Sequence, residues 1–246
     1  MAAPATLTPL PWWHRSCWGL ALLLSLPLSW LIRRLLAPLA PQVLVCARGS
    51  RVQGPPRLAL TLDDGPSGSG SEELLDLLRD LQVPATLFLI GAHLPRGSTG
   101  FVARALAEGH QIGNHMFTDS VSARLSAEAF LDQLRRTDAA LRQAAAPHRL
   151  ALPWFRPGGG WFHRSMLSAL KAEGYRLVLG SVFPFDTSGP PLWFLRRFLL
   201  ANVHPGAILV LHDRPDTIAA TLATLRCVLP ELQRRGYRFV TLDQLD

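Results

Sequence analysis

The chain has 246 residues, 48% of them hydrophobic and 17% charged, with a formal net charge of +7. This composition excludes wholesale disorder, and three widely spaced cysteines, Cys17, Cys46 and Cys227, exclude a fully paired disulfide framework and any CxxC metal site. Lys171 is the single lysine; the arginines are scattered singly or in pairs, without a basic run or interleaved aromatics, so the charge reads as solvated faces and no nucleic-acid partner is expected.

Residues 16–32, SCWGLALLLSLPLSWLI, are uncharged and flanked by Arg15 and by Arg33-Arg34. A helix of that length spans about 26 Å, close to a hydrocarbon core of about 30 Å. Trp12, Trp13, Trp18 and Trp30 lie toward its ends, where indole rings favour the membrane interface. The expectation is a single-pass anchor within residues 1–41, ahead of one folded domain over residues 42–246. A cleaved signal peptide lacks its basic start and A-x-A site here, and a buried core helix is the other alternative. Arg33, Arg34, Arg48, Arg51 and Arg57 follow the segment while Arg15 alone precedes it. That bias favours a cytoplasmic domain if those arginines lie outside folded structure, and the side of the membrane stays open.

From residue 42 the pattern becomes strand and helix in alternation. Residues 42–47 (QVLVCA) and 57–62 (RLALTL) read as strands. Residues 71–81 place Leu74, Leu75, Leu78 and Leu81 on one helical face with acidic residues in the first turn. Residues 85–90 read as a buried strand, 101–108 as a helix, 111–113 as a short strand, and 126–143 as a helix started at Ser126. The series ends with strands at 151–155, 175–180, 207–211 and 237–242 and helices near 164–173, 192–200 and 218–235. Helix-stop glycines are expected from Glu173 onward, as in EGY and RGY. Repeated strand and helix predicts a parallel sheet, either open and doubly wound or closed as a (β/α) barrel, with the active site at the carboxyl ends of the strands.

Those ends carry Asp63-Asp64, His115, Arg156, Asp186 and His212-Asp213. Two adjacent carboxylates leaving an apolar strand need a positive partner or a metal, and the Gly65-Pro66 that follows turns the chain sharply. An ordinary Asp turn capping the next helix is the simpler reading of that element taken alone. The glycine-rich loop after it lacks the lysine of a P-loop. His115 and Asp119, four positions apart, can join Asp64 as three ligands of a divalent ion with one position open. His110, His93, His148, His163 and His204 lack ligand spacing and read as packing or loop residues. Asp213 reads as the approach to the last long helix. Trp154, Phe155, Trp161 and Phe162 divide between core packing and a sugar groove.

In order and spacing, TLDDGP, GNHMFTD, FRPGGG, the Asp186 segment and VLHD resemble the five motifs of the NodB-type polysaccharide deacetylases, carbohydrate esterase family 4, over roughly residues 57–246. The resemblance implies a distorted (β/α) barrel, preceded here by the hydrophobic N-terminal helix, and hydrolysis of N-acetyl groups on an amino-sugar glycan. It implies Asp63 as base, Asp64 and His115 as metal ligands, Arg156 beside the catalytic Asp, and Asp186 supporting the general acid His212. Asp119 stands where the family usually has a second His, Gly158–Gly160 replace a stretch that often carries an aromatic residue, and Thr187 replaces a usual Trp. Leu211 is expected to line the acetyl-methyl pocket, a backbone N–H near Gly158 or Gly159 to hold the oxyanion, and Trp161 to meet the sugar. The implied cofactor is Zn²⁺, with Co²⁺ or Mn²⁺ as alternatives; the partner is an N-acetylated glycan, chitin-like, peptidoglycan or related. Two alternatives stand beside this reading: a membrane-tethered, inactive carbohydrate-binding relative, and an O-acetyl esterase using the same site.

Overall fold

The computed structural model describes Trp18, Ala21 and residues 40–47, 54–94 and 100–245. Most of the expected N-terminal anchor therefore lies outside the described residues. Within them, Trp18 sets its ring 4.9 Å from that of Phe194, and no helix is long and apolar enough to cross a membrane.

Among the described residues eight strands form one parallel sheet: β1 (Val43–Leu44), β2 (Arg57–Asp63), β3 (Ala85–Leu89), β4 (Gln111–Asn114), β5 (Trp154–Phe155), β6 (Arg176–Val178), β7 (Ile208–His212) and β8 (Arg238–Val240). Ladders run in the order β1-β6-β5-β4-β3-β2-β7, and β8 pairs with the start of β2. Between β7 and the opposite end of this path stand isolated bridges, Val182 with Leu209 and Cys46 with Ala207, instead of a full ladder. The parallel α/β sheet expected from the alternation is thus present. Its predicted strands at 42–47, 151–155, 175–180 and 237–242 shorten to two or three residues each.

The helices between them are α1 (Ser69–Asp80), α2 (Gly100–Ala107), α3 (Ala127–Ala145), α4 (Arg164–Ala172), α5 (Leu192–Asn202), α6 (Ile218–Arg234) and α7 (Leu242–Leu245). Ser126 caps α3 by accepting the Ala129 N–H, as its position before an apolar run suggests. Gly174 (φ 82°) and Gly236 (φ 85°) take the left-handed conformation that ends α4 and α6. Helix α5 departs from that expectation: it ends through Val203 in extended backbone, with Gly206 following later. The turn α7 begins at Leu242, the final residue of the expected last strand.

Strand periodicity decides what faces the site. Along β2, Leu58, Leu60 and Leu62 point into the large core under the helices, while Ala59 belongs to a smaller inner cluster with Phe88, Trp154, Val178, Ile208 and Val240. The residues alternating with those leucines, Ala59, Thr61 and Asp63, run along the inner face from apolar floor to carboxylate. On β7, Ile208, Val210 and His212 follow the same track. The apolar inner floor therefore becomes polar toward the carboxyl ends of the strands.

Candidate active site

At that end lies a cavity of about 550 Å³ lined by Asp63, Asp64, His115, Asp119, Arg156, Gly159, Phe183, Thr187, His212 and Arg214, with Leu179 and Val210 as aliphatic wall. Six of the residues singled out at strand ends or by ligand spacing thus meet in one place: Asp63, Asp64, His115, Asp119, Arg156 and His212. Asp186 stands directly behind His212.

Arg156, buried at the end of β5, organises the inner face. Its Nη1 donates to Asp63 Oδ1 at 2.6 Å and to Thr61 Oγ1 at 2.7 Å, and its Nη2 donates to the Leu179 carbonyl at 2.5 Å. The guanidinium carbon lies 4.3 Å from the Phe88 ring centroid. Burial lowers its proton affinity and the Asp63 carboxylate opposes that; an arginine so paired remains a cation.

His212 is held from two sides by one carboxylate. Its backbone N–H donates to Asp186 Oδ2 at 2.8 Å, and its Nδ1 donates to Asp186 Oδ1 at 3.0 Å, so Nε2 is the nitrogen left for the cavity. Burial disfavours its charged form, but the hydrogen bond to Asp186 and the charges of Asp186, Asp63 and Asp64 outweigh it and raise the imidazole above its ordinary value. Phe183 packs edge-on against His212 with ring centroids 5.7 Å apart. Nothing in SVFPFD separates a core phenylalanine from one that packs against His212.

Three non-glycine residues with positive φ sit in or beside this constellation: Asp64 (72°), Met116 (70°) next to His115, and Phe185 (58°) next to Asp186. Such backbone costs of order 1–3 kcal/mol per residue and persists only where neighbours enforce it. At Asp64 the enforcement is visible, since His93 Nδ1 donates to the Asp64 carbonyl at 2.7 Å. His93 is thus more than the loop residue expected of it.

Asp213 also does more than lead toward α6. Its N–H donates to the Asp63 carbonyl at 2.8 Å, and its carboxylate accepts Ser67 Oγ at 2.5 Å and Ser71 Oγ at 2.6 Å, tying the turn after β2 to the end of β7. Burial raises its carboxyl pKa against those two hydrogen bonds. Asp213→Ala leaves both serine hydroxyls without this acceptor, a loss of about 2 kcal/mol. Thermal unfolding is expected to show a melting temperature lower by roughly 4–8 °C for a domain of this size; an unchanged midpoint would show that the tie contributes nothing.

Two expected substrate contacts, Leu211 and Gly158, are corrected. Leu211 is fully buried in the core under the helices, because the strand period turns it away from the face shared by Val210 and His212; Val210 and Leu179 line the cavity in its place. The Gly158 N–H is already committed to Ser122 Oγ at 2.8 Å, and a Cβ there would collide with the Ser120 carbonyl. Gly159, beside it, does line the cavity. Trp161 is 71% exposed and lies outside the cavity lining. Trp154 and Phe155 resolve to core: Phe155 meets Phe130 edge-on at 5.6 Å. His110 packs as expected, its Nδ1 accepting the Ala85 N–H.

The expected metal triad is also corrected. His115 Nδ1 donates to the Arg156 carbonyl at 2.8 Å, which aims Nε2 at Asp64 Oδ1, 3.1 Å away. Burial opposes charge on His115, but the Asp64 hydrogen bond and the charges of Asp63 and Asp64 raise its proton affinity. Burial likewise works against Asp64, yet His115, His212 and Arg214 together hold that carboxyl well below the usual range. These two side chains are placed as a donor pair for a divalent ion. The third is not: Asp119 Oδ2 is paired at 3.2 Å with Arg214 Nη1, and the same nitrogen sits 3.1 Å from Asp64 Oδ2. Among the described residues no three His, Cys, Asp or Glu side chains are arranged to hold a metal ion. The donor set as it stands does not fit the expected three-ligand site, and the reason is a cation from the chain itself.

Residues 50–178 match the family model for polysaccharide deacetylases. The chain is 33% identical over 190 residues to a peptidoglycan-N-acetylglucosamine deacetylase of Bacillus cereus, covering 76% of this chain and 87% of that protein. It is 33% identical over 196 residues to a chitooligosaccharide deacetylase of Rhizobium leguminosarum bv. trifolii, covering 75% and 89%. Among solved structures, a peptidoglycan N-acetylglucosamine deacetylase superposes with a TM-score of 0.75 at 27% identity over 83% of this chain and 92% of that one.

Proposed function

Because the chain belongs to the polysaccharide deacetylase family, we propose that it hydrolyses N-acetyl groups on an amino-sugar glycan at the cavity between β2, β5 and β7. The observation that carries this reading is the pairing of a fixed carboxylate with a fixed imidazole on one inner face. Asp63 is held by Arg156, and His212 is held by Asp186.

In this reading the acetyl methyl faces Leu179 and Val210, and the sugar lies across the mouth toward exposed Trp161, whose ring suits the face of a pyranose. With Oδ1 of Asp63 taken by Arg156, Oδ2 receives a proton from the water that attacks the carbonyl carbon. The oxyanion is stabilised by the backbone N–H of Gly159, which lines the cavity. His212 Nε2–H then protonates the departing amine as the carbon–nitrogen bond breaks, giving acetate and a free amino sugar. Asp63 releases its proton to solvent and His212 recovers one, which returns both groups to their starting states. Asp64 and His115 would be the donors to a divalent ion that displaced Arg214, and such an ion would supply Lewis-acid polarisation of the carbonyl.

The test is a substrate panel with the full chain: acetate release from β-1,4-linked N-acetylglucosamine oligomers, from peptidoglycan and from O-acetylated xylan, each in Zn²⁺, Co²⁺, Mn²⁺ and chelator. Release from the amino-sugar substrates with matching free amine is the expected result. Release from the O-acetylated polymer alone would replace the reading with an esterase. Oligomer binding with no acetate under any condition would replace it with a glycan-binding relative.

A further inference from the structure

We propose that Arg214 is the built-in cation of this site: its guanidinium bridges Asp64 and Asp119, and a divalent ion gains Asp119 as its third ligand only by displacing it. The inference rests on the deacetylase reading solely for the identification of the cavity.

Three carboxylates place this side chain. Nη1 lies 3.1 Å from Asp64 Oδ2 and 3.2 Å from Asp119 Oδ2, while Nε donates to Asp216 Oδ1 at 3.2 Å. Its backbone is fixed from the preceding residue, since Asp213 is anchored through Ser67, Ser71 and the Asp63 carbonyl. Arg214 thus leaves a pinned chain segment, is steered by Asp216, and reaches across the cavity rim to the carboxylate pair.

The chemistry of residue 119 agrees. An imidazole there would be a neutral ligand and would give a nearby guanidinium no anion to pair with. A carboxylate at the same place forms a charge-assisted hydrogen bond with it. The ion that would complete the expected site carries two positive charges and contacts carboxylate oxygen at about 2.0–2.2 Å. It cannot share the inner side of the Asp64–Asp119 pair with a guanidinium at hydrogen-bond distance. Arg214 is also about one-third exposed, so it can swing toward solvent, which makes the relation a competition and not a permanent block.

The experiment is calorimetric titration of the metal-stripped full chain with Zn²⁺, alongside Zn²⁺-dependent melting temperature, for wild type, Arg214→Ser and Asp119→Asn. Arg214→Ser is expected to bind Zn²⁺ at least about tenfold more tightly than wild type, equivalent to ~1.4 kcal/mol, and to gain melting temperature on Zn²⁺ addition where wild type gains little. Asp119→Asn, which leaves Arg214 held by Asp64 and Asp216 and weakens the third ligand, is expected to show no such gain. Should Arg214→Ser fail to fold, Arg214→Lys supplies the same comparison with a smaller expected gain, because an ammonium lacks the planar fork of a guanidinium. Equal affinities of wild type and the Arg214 variant, or stoichiometric Zn²⁺ retained by wild type through chelator dialysis, would overturn the proposal. None of these readouts requires acetate release, so failure of the deacetylase reading and failure of this one are distinguishable.

Discussion

Asp63→Asn is expected to lower the rate of acetate release by about 10²–10⁴-fold, the range lost when a positioned general base is removed. The same change leaves the buried Arg156 guanidinium without its counter-charge. Both partners are almost fully buried, with side-chain exposures of 4% and 5%, so the pair is not screened by solvent. Breaking such a pair from one side costs about 3–5 kcal/mol, although Thr61 and the Leu179 carbonyl still accept from Arg156 and place the loss toward the lower end. Rate and stability should therefore fall together, and the rate must be measured on protein shown to be folded by circular dichroism at the assay temperature. A folded Asp63→Asn variant with near wild-type turnover would remove Asp63 from the chemistry.

The second large effect concerns pH. His212 must be protonated to donate to the amine, and its imidazole is held above 6.5 chiefly by Asp186 against the opposing effect of burial. Activity should accordingly fall as pH rises through the His212 value, which lies above that of a free imidazole. Asp186→Asn removes the anion while burial persists, so the imidazole proton affinity drops and the alkaline limb moves to lower pH. The variant is expected to lose more activity at pH 8 than at pH 6, and His212→Ala to lose about 10²–10⁴-fold at both. An alkaline limb that stays in place in Asp186→Asn would show that another group sets it.

Much of this site is legible from strand ends alone. In a parallel sheet the carboxyl ends of all strands face one way, so Asp63, His115, Arg156 and His212 were bound to converge once the alternation of strand and helix was recognised. Period-two alternation also separates Leu211 from Val210 and His212, and applying it strictly to β7 would have removed Leu211 from the pocket. Other features depend on contacts between distant segments. The Gly158 N–H is lost to Ser122, 36 positions away, and Arg214 meets Asp119 across 95 positions. Ligand spacing in HMFTD described which residues can hold a metal but carried no information about a competing cation from the segment after β7. Asp213 and His93 carry no local signal for the same reason: their partners, Ser67 and Ser71 for one and the Asp64 carbonyl for the other, come into reach only through the turn beyond β2. The very short strands β1, β5, β6 and β8 reflect a limit of propensity, since an apolar run reports burial and leaves open how many of its residues join a ladder.

The central claim is that Asp63 and His212 act together on an N-acetyl amide. Its most direct test is simultaneous measurement of acetate and free amine from an N-acetylglucosamine oligomer by the folded 246-residue chain and by its Asp63→Asn and His212→Ala variants. The account predicts acetate and amine in equal amounts from wild type and a loss of both in each variant. Acetate production that is unchanged in either variant, or acetate released without a matching amine, would contradict it.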